Sequence, residues 1–205
     1  MIFSIQVGKT KKYISDDGNP FYSDFIKDIR RIEISVTNTG IKGDEVSDRT
    51  NPDEAVFASA LSSYAIWNNF LNKKLEFGQM GENLTIKGLD ERSVFIGDIH
   101  KIGSAILQVS QPRKPSDKLY KIHKHGGFAK FILSSGLTGW CYRVLEGGRI
   151  KTGDIIEIES TENVKLSIME LNKLLFEPNG NDDIFDKLMM QKSVSQNLIN
   201  KVSRS

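Results

Sequence analysis

Cysteine is almost absent from this chain of 205 residues, and Cys141 is the single example. One cysteine excludes an intrachain disulfide framework and any multi-cysteine zinc site. Histidine is scarce as well, at three residues, which argues against a conventional structural zinc site. A soft-metal or nucleophilic role for one thiol stays open. Neither sign of charge dominates. There are 28 Lys+Arg against 26 Asp+Glu, a net charge of +2, so no overall basic excess points to nucleic acid or an anionic membrane. Long hydrophobic runs are missing too. No window approaches the ~20 apolar residues of a membrane span, and Met1–Lys9 is too short and polar for a signal peptide. The expectation is a cytoplasmic protein with neither a membrane nor a nucleic-acid partner. What remains is ordinary: 39% hydrophobic and 26% charged residues describe a globular chain long enough to bury a core without staples.

The first ~160 residues read mainly as strands, from short apolar runs between turn signals. The runs are Ile2–Val7, Arg31–Thr37, Ala55–Ala58, Asn83–Ile86, Ser93–Ile96, Ile99–Ile102, Ala105–Ser110, Trp140–Leu145 and Ile155–Ile158. A helix is expected over Leu61–Leu71, with Tyr64, Trp67, Phe70 and Leu71 as a core stripe rather than a cofactor box. A second is expected over Phe128–Ser134, stopped by Gly136. Gln111–Ser116 holds two prolines and reads as an irregular loop. Many short strands at fairly regular spacing predict a closed or partly closed β-barrel. After Ser160 the pattern changes to three short helices. Capping boxes at Ser167–Glu170 and Ser193–Gln196 open the first and third, and Asp183–Met190 is the second. The reading is mainly β: a barrel with a few helices over 1–160, then a three-helix segment over 161–205.

The stretch Gln111–Lys130 stands out chemically. Arg113, Lys114, Lys118, Lys121, Lys124 and Lys130 face a single acid, Asp117, with His123 and His125 among them. It reads as an anion site for phosphate or an anionic cofactor, or as a solvated basic face. Sparse aromatic interleaving weakens a nucleic-acid reading. His123 and His125 have no evident third metal ligand nearby. The adjacent acids Asp44-Glu45 and Asp53-Glu54 read as turn and surface residues. In Gly81-Glu82-Asn83 the glycine permits close backbone approach, and the asparagine offers a donor and an acceptor.

Several pieces occur in an order that resembles one family. They are Gly40-Ile41-Lys42-Gly43-Asp44-Glu45, Pro52-Asp53-Glu54-Ala55-Val56, Gly81-Glu82-Asn83-Leu84-Thr85, Gly88-Leu89-Asp90 and Ile96-Gly97-Asp98. Val109-Ser110-Gln111-Pro112-Arg113-Lys114-Pro115 is the most specific, and Gly139-Trp140, Arg143-Val144-Leu145 and Gly153-Asp154 complete the run. Together they resemble a MOSC domain, named after the molybdenum cofactor sulfurase C-terminus, of the bacterial YiiM type. The resemblance implies a barrel-rich fold and the molybdenum cofactor (molybdopterin), a pterin dithiolene with a terminal phosphate. It further implies reduction of N-hydroxylated bases with electrons from a separate redox partner such as a flavoprotein. On it, Gly81, Glu82, Asn83, Ser110, Gln111, Arg113 and Lys118 are cofactor-binding residues. Asn83 would bond the pterin or a metal oxo group, and Arg113 would hold phosphate or order the loop.

The chain departs from the family at two signatures. The family loop ends in Pro-Cys, whose thiolate ligates molybdenum; here the pair is Pro115-Ser116, so the catalytic and metal position falls to a hydroxyl. Arg49 stands where the family has a histidine, and Thr50-Asn51 replaces two glycines. Three readings remain: a molybdenum reductase with Ser116 as an oxygen ligand, a cofactor carrier without reductase activity, or an interaction module without cofactor. Cys141 alternates with Trp140 and Tyr142 in an expected strand and reads as a buried structural thiol.

Overall fold

Most of the longer strands form where short apolar runs lie between turn residues. The structure, a computed structural model, describes residues 1–15, 18–45 and 51–202. Its strands are β1 (Ile2–Gly8), β2 (Lys11–Ile14), β3 (Pro20–Ser23), β4 (Lys27–Arg30), β5 (Ile34–Thr37), β6 (Gly40–Ile41), β7 (Val56–Ala60), β8 (Leu84–Ile86), β9 (Ile99–Ile102), β10 (Ala105–Pro112), β11 (Trp140–Glu146), β12 (Gly148–Ile150) and β13 (Ile156–Glu159). The helices are α1 (Ser63–Leu71), α2 (Lys118–His123), α3 (Phe128–Ser135), α4 (Ile168–Phe176), α5 (Asp182–Met189) and α6 (Gln196–Val202).

Eight strands form one mixed sheet in the order β13-β9-β10-β11-β7-β8-β1-β4, curved into a half-barrel. Every neighbouring pair is antiparallel except β7 and β8, which α1 joins by a crossover. A three-stranded sheet, β12-β5-β6, and the β2-β3 hairpin complete the strands. The fold is therefore mainly β with added helices, as the sequence predicts.

Two hydrophobic clusters fill the molecule. The larger holds Ile2, Ile5, Leu84, Ile86, Leu107, Val109, Trp140 and Tyr142 from the big sheet together with Leu171, Leu188 and Leu198 from α4, α5 and α6. Helices of seven to nine residues are not stable in isolation, and this shared burial supports them. The smaller gathers Phe25, Tyr64, Trp67, Met80, Leu119, Phe128 and Ile132. The aromatic stripe of α1 is thus core, as expected. Ser167 caps α4 with the full reciprocal box to Glu170, and Gly136 ends α3 in the left-handed conformation.

Four local expectations need correction. Gln111 and Pro112 are not loop but the end of β10, where Pro112 pairs with Trp140; a strand's last residue loses little by lacking an N–H. Ser93–Ile96 is not a strand. The Asp90 side chain accepts from the Arg92 and Ser93 amides and turns the chain, so only single bonds link it to the segment before α4: Ile96 N donates to Leu166 O and Ile168 N to Val94 O. The loop after Pro115 contains α2, absent from the sequence reading. Before α6 it is Ser195, not Ser193, whose hydroxyl accepts a helical amide, from Leu198 at 3.3 Å. Ser193 is held by Glu162 and Arg143 instead.

Candidate functional site

The 113–118 loop leaves the end of β10, and the 78–83 turn leads into β8. The two segments meet at one cleft. Asp24, Phe25, Lys27, Glu54, Phe57, Gly81, Asn83, Arg113, Ser116 and Lys118 enclose a cleft of about 160 Å³. Five of the eight residues singled out in the sequence therefore share one cavity: Gly81, Asn83, Arg113, Ser116 and Lys118. A narrow slot of about 20 Å³ adjoins it at Ser116, lined by Trp67, Leu119, Ile132 and Leu137 together with Arg113, Lys114 and Thr138.

Glu82, Ser110 and Gln111 lie behind the cleft and shape it. Glu82 is wholly buried. Its Oε1 accepts from the Tyr64 hydroxyl, from Gly78 N at 2.7 Å and from Thr85 Oγ1 at 3.2 Å. Burial raises its carboxyl above the ordinary range and outweighs these bonds. The residue fastens the 78–81 turn from beneath. Gly81 must be glycine for two reasons: its φ is +83°, and a Cβ there would stand 2.9 Å from the Phe25 ring that lines the cleft. Ser110 Oγ shares its proton between Asp53 O and Cys141 O. Gln111 Nε2 donates to Glu54 Oε1 at 2.7 Å.

The 51–54 turn that carries Glu54 is bolted to the sheet. Asn51 caps it by accepting from Asp53 N at 3.1 Å. Asp53 pairs with Arg143 at 2.7 Å, and the same guanidinium donates to Gln108 Oε1 and Ser193 O. The altered positions Arg49 and Thr50 lie outside the described residues.

Each cation in the cleft has a carboxylate partner. Arg113 donates to Glu54 at 2.9 Å and spreads its guanidinium over the Phe57 ring, 5.4 Å from the centroid. Lys118 reaches Asp24 at 3.2 Å. Lys27 pairs with Asp44 at 2.7 Å, with both side chains buried. Asp44 also accepts from Gly8 N at 2.6 Å and Asn83 Nδ2 at 2.7 Å. Asn83 donates further to Gln6 O and accepts from Phe57 N, which stitches β1, β7 and β8 at the back of the cleft. Ser116 Oγ accepts from Lys118 N at 3.2 Å and stands half-buried at the rim.

Lys114 lines the slot beside the cleft, and other members of the basic stretch pack elsewhere. Lys121 lies over the Phe21 ring, and Lys124 ends α2 in the left-handed region. His123 bonds Gln79 O at 2.9 Å and packs on Phe128, while His125 packs on Phe70. Among the described residues, no group of three or more His, Cys, Asp or Glu could hold a metal ion. Cys141 is fully buried at the register position between Gln111 and Phe57, and it is not among the residues lining the cleft. Sequence reasoning missed Phe57, and it takes Asp44 and Glu54 for turn and surface residues, whereas Asp44 is buried against Lys27 and Glu54 lines the cleft. It also missed Asp24, Phe25 and Lys27, which come from a short segment with no motif of its own; the pairing of β4 with β1 brings that segment to the cleft.

The family model of the MOSC domain matches residues 45–157, more than half of the chain. The chain belongs to the MOSC domain family. It is of the YiiM type. The MOSC chain is 29% identical over 198 residues to YflK of Bacillus subtilis, covering 95% of this chain and 89% of that protein. It is 29% identical over 181 residues to a Gibberella moniliformis protein named a reductase, of which the match spans 32% and, of this chain, 85%. The crystal structure of YiiM from Geobacillus stearothermophilus is similar to it with a TM-score of 0.83 at 26% identity, covering 100% of this chain and 97% of that one. No described helix of this MOSC protein is long and apolar enough to cross a membrane.

The cleft's donor set can be weighed against the molybdenum cofactor. Arg113 and Lys118 keep about a third of their side chains exposed and can turn toward an anion, so the phosphate end of a pterin cofactor suits them. Where the resemblance implies a metal-ligating thiolate, the side chain present is the Ser116 hydroxyl, a hard oxygen donor.

Proposed function

We propose that this protein is a cytoplasmic MOSC oxidoreductase that binds the molybdenum cofactor at the Ser116 cleft and reduces N-hydroxylated bases or related compounds, using electrons from a separate redox protein. The observation that carries this reading is the convergence of the Gly81–Asn83 turn and the Arg113–Lys118 loop on one cleft. Similarity to a protein named a reductase supports the redox class. When bound, the cofactor would supply two-electron redox chemistry. Arg113 and Lys118 would hold its phosphate, Phe57 would support the Arg113 guanidinium, and Ser116 would present its oxygen at the metal position. Lys27, Asp44 and Asn83 would keep the cleft wall in place. Phe25 and Phe57 would exclude water from that end.

The experiment is expression in a host that makes the cofactor, with molybdenum and pterin measured in the purified protein. Stoichiometric metal and pterin, with reduction of an N-hydroxylated purine when a flavoprotein donor is added, is the expected result. Ser116 itself favours a second reading, a carrier or interaction module without catalysis. Pterin without turnover would select the carrier. Absence of both metal and pterin, with uptake only in Ser116→Cys, would refute the active-enzyme reading.

A further inference from the structure

The three cations of the cleft are not equivalent. Lys27 is held inside, 3% exposed, against an Asp44 side chain that is 0% exposed and has other bonds to Gly8 and Asn83. That pair is part of the wall. Arg113 and Lys118 lie at the mouth, with 30% and 37% of their side chains exposed. Their acids are the anchored members. Glu54 Oε1 is gripped by Gln111 Nε2 at 2.7 Å and by Asn51 Nδ2 at 3.2 Å, while only Oε2 serves Arg113. Asp24 has a side chain only 5% exposed, on the short stretch between β3 and β4. Either cation can swing away at the mouth: Glu54 then keeps its bonds from Gln111 and Asn51, and Asp24 stays in place through its burial. Both carboxylates line the same cleft.

We infer that Glu54 and Asp24 are the specificity-determining residues of the cleft, acting as built-in counter-ions on Arg113 and Lys118. Each holds the place on its cation that an oxyanion of an entering ligand would take. An anion therefore enters by exchange: one charge-assisted hydrogen bond forms as another breaks, and the released carboxylate stays close enough to repel the newcomer. A bare phosphate gains little from such an exchange. A phosphate ester whose organic body packs on the Phe25 and Phe57 rings of the cleft gains contacts that free phosphate cannot make. The two acids thus close the cleft to ambient inorganic anions and reserve it for a larger phosphorylated ligand. This rests on the anion-site reading of the cleft, but it requires neither a pterin nor a metal.

The test is calorimetric titration of the full chain with inorganic phosphate at fixed ionic strength. Glu54→Gln and Asp24→Asn should each bind phosphate about tenfold more tightly than the parent, because one charge-assisted bond no longer has to be broken. The double variant should bind more tightly still. Adding Arg113→Met to Glu54→Gln should abolish the gain, which assigns it to the cleft. Unchanged or weaker binding in both single variants would overturn the inference. So would a gain that survives loss of Arg113, or no measurable binding in any variant. Asp24 is nearly buried, and if Asp24→Asn does not fold, Glu54→Gln on its half-exposed turn decides alone. The two readings fail separately: a protein that loads no molybdenum or pterin yet shows the tenfold gain refutes the reductase reading and leaves this one standing.

Discussion

Replacing Asp44 by alanine should be among the most damaging single changes near the cleft. The carboxylate is wholly enclosed and answers the buried Lys27 ammonium at 2.7 Å. It also accepts the Gly8 amide and Asn83 Nδ2, at 2.6 and 2.7 Å. Alanine takes all three bonds away and leaves the Lys27 charge in a site built around an anion. Removing one partner of a buried ion pair costs about 3–5 kcal/mol, a large fraction of the roughly 5–15 kcal/mol that holds a typical domain folded. Urea unfolding followed by circular dichroism and tryptophan fluorescence would read it as a fall in midpoint at unchanged slope. Two companion variants make the test specific. Lys27→Met with Asp44→Leu should recover a good part of the loss, since an apolar pair needs no desolvated charge. Glu159→Ala, which breaks the exposed pair with Lys101 at 3.3 Å, should change the midpoint hardly at all. If Asp44→Ala unfolded at the same urea concentration as Glu159→Ala, the pair would not be the organising contact described here, and the distinction between a wall cation and two mouth cations would fall with it.

Glu91 gives a pH-dependent prediction. Burial pushes its carboxyl up to about 7, although its Oε1 accepts from Gly139 N at 2.8 Å. Its folded value lies above its unfolded one, so the folded state retains a proton that the unfolded state releases. Stability should then fall as pH rises from about 4.5 to 7, by about 3 kcal/mol in all at 1.36 kcal/mol per unit, and level off above. Glu91→Gln should remove that slope in urea midpoints taken from pH 5 to 8; an unaltered slope would assign it to other groups. Gly81→Ala should lower the melting temperature by several degrees, from a left-handed backbone and a Cβ against the Phe25 ring. Ser116→Cys should keep its molybdenum longer during dialysis against a chelator, measured by mass spectrometry of protein made in a cofactor-producing host; equal retention in both would mean that the hydroxyl serves as well as a thiolate.

The strands were legible where apolar residues alternate and turn residues bracket them, as in β1, β7, β9 and β11. The helix caps at Ser167 and Gly136 were legible because one hydrogen-bonding side chain or one absent Cβ defines each. The β2-β3 hairpin, β4 and β12 were not, because their faces are largely solvent-exposed and carry no apolar alternation. Two prolines predict an irregular loop from Gln111, yet a proline that closes a strand needs no donor, and Pro112 pairs with Trp140.

The sequence by itself determined the family, the mainly β character with a helical tail, and the hydroxyl at position 116. Those depend on residue identity and local spacing, which any order of strands would preserve. Only the tertiary structure decided which charges meet. Glu54 and Asp24 are distant in sequence from Arg113 and Lys118, and no periodicity connects them. Strand pairing sets Phe57 beside Cys141 and Cys141 beside Gln111, and it returns β4 to β1. Asp24 and Lys27 reach the cleft from that return, and the turn before β7 carries Glu54 to Arg113. A basic run that looked like an open anion site thereby becomes a cleft whose cations already have partners, because the energy of a charge depends on what lies within a few ångströms of it.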